Sequence, residues 1–144
     1  MKTGSADQIP VDKVLVKLLA VVLLCWFFVL PLDVTRYQWS VTFTHFMAAH
    51  SALKWICFCF ASFGLYVVFR SFSDCTFLSP ILRIQKERKH KVIDSGSFGV
   101  IRHPMYSGFM QYLFFITLFL GSAYALIVVV LVCIVFLVRV HFEE

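Results

Sequence analysis

The sequence predicts an all-α protein, a multi-pass transmembrane helical bundle of about four spans that closes on a C-terminal helical hairpin. Three observations predict it. Hydrophobic residues fill 60% of the 144 positions and mean hydropathy is +0.86, too apolar for a soluble domain of this size. The apolar residues fall into four runs, each approaching the length needed to cross a bilayer core. The basic residues gather in one stretch between the second and third runs. Residues 1–144 are therefore expected to form a single integral-membrane domain.

The first span is expected over residues 14–32. Its apolar part carries one charge, Lys17, and stops at Pro31. A basic residue ahead of an apolar run also suits a cleaved signal peptide, but no small-residue cleavage pattern follows Leu30, and Pro31-Leu32-Asp33 leads into what reads as a polar loop. The run is expected to stay as a retained first span. The second span, residues 46–69, is interrupted only by His50 and Lys54 near its beginning. With His45 they form a short polar stripe, read as interfacial snorkelling. The third and fourth spans, residues 105–120 and 122–140, are separated by Gly121 alone. Pro104 suits the first turn of the third helix, because it has no amide hydrogen to leave unbonded.

Orientation follows from the basic residues. Residues 70–104 hold Arg70, Arg83, Lys86, Arg88, Lys89, Lys91 and Arg102 against Asp74, Glu87 and Asp94, whereas the loop over residues 32–44 holds only Arg36. The excess places the 70–104 loop in the cytosol, with both termini on the same side. Within it, residues 81–91 read as a solvated basic connector, with a short surface helix as the alternative. The formal charge of +5 is thus a topology signal. Nucleic-acid binding is excluded as its meaning, since these basic residues flank membrane helices and are not interleaved with stacking aromatics. The five cysteines form neither a disulfide framework nor a zinc pattern, and Cys57 and Cys59, two apart, point to different helix faces.

The candidate chemistry sits where the hairpin's ends meet. At about 1.5 Å per residue each leg climbs roughly 25 Å, so the second returns the chain to the level at which the first began. Arg102, His103 and Tyr106 are therefore expected beside Arg139, Glu143 and Glu144 at one membrane surface. Arg102 and His103 would lie just outside a helix N-terminus, whose unpaired amides favour an anionic group. Such a cluster suits a small zwitterion, its amine toward the glutamates and its carboxylate toward the basic groups. Interfacial anchoring explains a lone Arg-His pair, but not the adjoining proline, the tyrosine one turn on and the returning glutamates as well.

Gly96, then Arg102-His103-Pro104-Met105-Tyr106-Ser107-Gly108, then an apolar hairpin ending in Arg139 and Glu143-Glu144, resembles the C-terminal signature of integral-membrane methyltransferases. The family is that of isoprenylcysteine carboxyl methyltransferase and the related phospholipid methyltransferases. Residues 32–40 and 83–88 also resemble segments of its bacterial branch, which implies a bacterial inner membrane. The resemblance implies transfer of a methyl group from S-adenosylmethionine at the cytosolic face, to a lipid-like or isoprenylcysteine-type acceptor drawn from among membrane lipids. No metal is implied. Carried over by position, the cofactor contacts fall on His90, Val92, Ile93, Phe98 and Arg102 in the loop, and on His103, Pro104, Met105 and Tyr106 in the motif. After the hairpin they fall on Glu143 and Glu144, with Glu143 taking the cofactor's amino group. Arg139 would orient the acceptor.

Two other readings stand beside this one. The family usually has Tyr at the position of Phe98 and continues past the Glu-Glu pair, which motivates a non-catalytic, shortened relative acting as a partner or scaffold. Lys17, His50 and Lys54 motivate a small transporter, but the broken helices and repeats typical of transporters are missing from the sequence.

Overall fold

The computed structural model describes residues 8–74 and 103–143, with side chains over 14–73 and 103–141. The described residues are helical almost throughout. Helix α1 runs over Gln8–Pro31 and passes into a π-helical turn, Leu32–Tyr37. Helices α2, Val41–Ala49, and α3, Ser51–Asp74, follow, then α4, Pro104–Leu120, and α5, Ala123–Glu143. The all-helical membrane bundle read from the sequence is the fold observed.

Helix boundaries differ from expectation in one region. The stretch over residues 32–44 is not an irregular loop. The π-helical turn closes at Gln38, whose left-handed backbone (φ 50°) reverses the chain, and Ser40 opens a separate short helix. The second span therefore starts at Ser51, not residue 46, because α2 ends at His50. There the ring Nδ1 lies 2.8 Å from the Phe46 carbonyl, and the His50 amide donates to the same oxygen. At its other end α3 continues to Asp74, so the first residues of the expected loop are helical. Among the described residues three segments are long and apolar enough to cross a membrane: Val14–Tyr37, Ser51–Ser73 and Ala123–His141. Helix α4, at 17 residues, rises roughly 25 Å and is the short leg of the four.

Helices α4 and α5 form the expected hairpin. α1 packs along α5, and α3 packs along α4 in the opposite sense. Near its start α3 places the Lys54 ammonium 5.1 Å from the centre of the Phe119 ring, and further along Gly64 faces Gly108. α1, whose Trp26 meets Thr117 and whose following π-helical turn brings Asp33 to Ser122, runs back from that turn. The start of α1, the end of α3, the start of α4 and the end of α5 thus share one end of the bundle.

Side-chain size is distributed as lipid solvation requires. Large apolar groups look outward, including Phe27 (63% exposed), Trp55 (63%), Phe69 (69%) and Leu137 (61%). Hydrocarbon is as apolar as these side chains, so burying them against another helix gains little; close packing and polar contacts hold the helices instead. α3 accordingly turns small residues, Cys57, Ala61, Gly64 and Ser71, toward its neighbour. The side chains of Cys57 and Cys59 lie on different faces as expected, one buried and one exposed. The core proper is Leu113 with Val129, Val132 and Phe136, covered by Leu19, Val22, Leu23 and Trp26 of α1. The Trp26 indole N–H donates to the Thr117 hydroxyl over 2.9 Å, giving this tryptophan a bridging role between helices.

The α3–α4 contact is the tightest. A Cβ at Gly64 would lie 2.8 Å from the Gly108 carbonyl oxygen and 2.8 Å from the Tyr112 amide nitrogen, both backbone atoms that cannot swing aside. Gly64→Ala is expected to push the helices apart and cost about 1–3 kcal/mol, as overpacking does. Unfolding in detergent followed by circular dichroism checks this, and a transition unmoved from wild type would refute the close approach.

Candidate functional site

The site end of the hairpin is organised by the face that α5 buries. Ala125, Val129, Val132 and Phe136 are the buried positions, spaced four, three and four apart. That spacing keeps one helical face against the core. Continued, it passes through Arg139 and then position 143. The core-facing stripe therefore ends in a guanidinium where the hydrophobic packing ends.

Across from it stands the first turn of α4. Pro104 occupies the first helical position, as its missing amide hydrogen and fixed φ favour, and its side chain is fully buried. His103 precedes it as the cap residue, makes no side-chain capping bond, and accepts the Ser107 amide through its carbonyl. Its ring stacks on Tyr106, with centroids 5.7 Å apart and planes within 9°. Tyr106 in turn meets Phe136 at 5.2 Å, and the Arg139 guanidinium carbon lies 5.7 Å from the Tyr106 ring centre. Phe109 closes on Phe136 edge to face at 6.0 Å.

His103, Tyr106, Phe136 and Arg139 are thus one connected column across the two legs of the hairpin. Of the residues singled out in sequence, His103, Pro104, Met105 and Tyr106 stand in or beside it, and Arg139 joins them from α5. The backbone of α5 continues through Glu143, one turn beyond Arg139. His90, Val92, Ile93, Phe98, Arg102 and Glu144 lie outside the described residues, as does the side chain of Glu143. Phe136 was missed in sequence. Its signal is the register just described, in which it is the last apolar member before Arg139.

The chemistry of this column is that of a recognition site at a helix end. The first amides of α4 have no acceptors within the helix, the dipole there favours negative charge, and Arg139 adds a fixed positive group beside an aromatic face. His45, His50 and Lys54 are not part of it. They belong to α2 and the start of α3, at the opposite end of the bundle.

Residues 53–144 match the sequence model of the isoprenylcysteine carboxyl methyltransferase family. The chain belongs to this family. The match begins within α3 and takes in α4 and α5, so the motif and Arg139 both lie inside it, whereas α1, the π-helical turn and α2 precede it. No curated protein and no solved structure matches the chain. Membership makes it a relative of membrane methyltransferases, in keeping with its apolar helices.

Tyr106 carries three ring contacts, so its loss separates ring from hydroxyl. Tyr106→Leu is expected to cost about 1–2 kcal/mol, from an aromatic pair and a cation–π contact. Tyr106→Phe keeps the ring and should cost less than Tyr106→Leu. Parallel denaturation of the two variants checks this; equal losses would show that the ring contacts do not hold the two legs together.

Proposed function

We propose that this protein is an S-adenosylmethionine-dependent methyltransferase that acts on a lipid-like or isoprenylcysteine-type acceptor at the cytosolic face of a bacterial inner membrane. The observation that carries the reading is the meeting of Arg139 with the His103–Tyr106 stack at the N-terminus of α4. A family motif from one leg and a basic residue from the other share a site at the end of the bundle where the basic 75–102 segment attaches. The excess of Lys and Arg there supports a cytosolic orientation, with both termini on that side.

The residues present fit the cofactor's chemistry. The α4 N-terminus, which carries the motif over residues 103–106, suits its carboxylate, and Glu143 would take its amino group. The loop residues His90, Val92, Ile93, Phe98 and Arg102, with Glu144, would complete the enclosure. When bound, S-adenosylmethionine supplies a methyl group on a sulfonium centre. The protein's work is then positional. Arg139 orients an acidic acceptor toward the site, Tyr106 and Phe136 hold Arg139 in place, and the surrounding apolar helices exclude water, so that the acceptor enters desolvated and aligned. The acceptor's tail would lie among the outward apolar side chains, with membrane lipids as its source.

Calorimetric titration of S-adenosylmethionine into detergent-purified protein tests the reading. Wild type should bind saturably. Glu143→Ala and His103→Ala should each weaken binding by roughly tenfold or more, since hydrogen bonds to charged groups are worth about 1.5–3 kcal/mol. A well-folded wild type that takes up no cofactor would sink the enzyme reading and leave the non-catalytic partner protein in its place.

A further inference from the structure

The most heavily bonded polar cluster among the described residues is at the other end of the hairpin, where Asp33, Ser40 and Thr44, which precede the family match, meet the start of α5. Asp33, in the π-helical turn after α1, is 1% exposed. Its Oδ1 accepts the Ser40 amide at 2.9 Å, and its Oδ2 accepts the hydroxyls of Ser40 and Ser122, each at 2.5 Å. Ser40 Oγ then accepts the Ala123 amide at 3.0 Å, Ser122 Oγ accepts the Ala125 amide at 3.1 Å, and Thr44 Oγ1 donates to the Gly121 carbonyl at 2.8 Å. Gly121, Ser122, Ala123 and Ala125 are thereby held, and the Ala123 and Ala125 amides at the start of α5 are satisfied by side chains. Asp33 and Ser40 do this from a segment more than eighty residues away in sequence.

We infer that Asp33 is a positioning residue for the site at the far end of α5, an inference that rests on the methyltransferase reading for its functional meaning. A helix is a stiff rod, and the roughly 25 Å between Ser122 and Arg139 makes it a lever; a tilt of about 5° at the clamped end carries Arg139 by about 2 Å. Displacements of that order are enough to remove most of the benefit of alignment in an active site. The turn of Gly121 and Ser122 joins the legs but does not by itself set the tilt and rotation of α5. The clamp does, because it grips the N-terminus of α5 from two directions, through Asp33 and through Ser40, and ties both to α1. α1 then lies along the core that backs Tyr106, with Leu19, Val22 and Leu23 against Leu113, Val132 and Phe136. Asp33 acts through the helix, and touches no group of the site.

Distance measurement by pulsed electron resonance tests this without reference to catalysis. Spin labels go on cysteines placed at Tyr66 of α3 and Leu137 of α5, both outward-facing, with the native cysteines replaced. α3 has no bond to the clamp and serves as the reference. The unmodified clamp should give one narrow distance distribution. Asp33→Asn and the milder Ser122→Ala should each broaden or displace it by about 2 Å, with cofactor affinity falling about tenfold in parallel. Asp33→Glu should recover part of both. A distribution unchanged in a folded Ser122→Ala or Asp33→Asn sample, with only thermal stability reduced, would overturn the positioning role and leave a purely structural clamp. Should wild type bind no cofactor, the proposed function fails, while the distances still decide whether Asp33 sets the position of α5.

Discussion

The turn between α4 and α5 leaves the last carbonyls of one helix and the first amides of the next without partners inside their own helices, at the end of an apolar span. In hydrocarbon-like surroundings each unmet group costs several kcal/mol. Much of the rest of the structure follows from how this is met. The chain answers with side chains from a distant segment: Thr44 takes the Gly121 carbonyl, Ser40 the Ala123 amide, and Asp33 the Ser122 hydroxyl. Gly121 adopts a left-handed backbone with φ of 75°, and a Cβ on it would meet the Thr44 Cα at 2.9 Å. The residue that turns the hairpin is therefore also the one that lets α2 approach. Satisfying the turn brings α1 alongside α5, and the apolar core between them follows.

The polar clamp and the apolar core divide the work by depth. Near the turn the helices are held by directional bonds among Asp33, Ser40, Thr44, Ser122 and, slightly deeper, Trp26 with Thr117. Along the middle, Leu113, Val129 and Val132 fill the space between α1, α4 and α5. α3 joins by a different device, two glycines back to back, which lets backbones meet where side chains would only have lipid to displace. A buried carboxylate whose described partners are hydroxyls and amides is costly to place. Its acceptor capacity matches a helix N-terminus that needs acceptors, and the dipole there favours its charge.

Legibility differed between the two ends of the molecule for a physical reason. The four apolar runs, the hairpin around Gly121 and the meeting of Tyr106 with Arg139 were all readable, because helical rise and sequence spacing determine them locally. The clamp was not. Asp33 sits in a stretch that reads as a polar loop, and its partners Ser40 and Ser122 are ordinary small polar residues whose relation appears only when α1 lies beside α5. The short helix α2 was hidden in the same way, since Phe46–Ala49 continues the apolar character of the next span and only the capping at His50 divides them. Gly64 and Gly108 were likewise silent as a pair, being on helices whose mutual depth the sequence does not state. In the site itself Phe136 was missed because an apolar residue in an apolar helix carries no mark of its neighbour.

The arrangement separates two demands that conflict when they share one place. A site for polar groups at a membrane surface needs access for its ligand, so the directional bonds that fix helix position are best placed elsewhere. Here His103 adds no side-chain cap to the α4 N-terminus, whereas at the opposite end side chains cap the Ala123 and Ala125 amides of α5. The N-termini of α4 and α5 face opposite ends of the bundle, joined by the two legs of the hairpin. Directional bonds at the turn fix the start of α5, and the stiffness of α4 and α5 is what carries that order back to Tyr106 and Arg139.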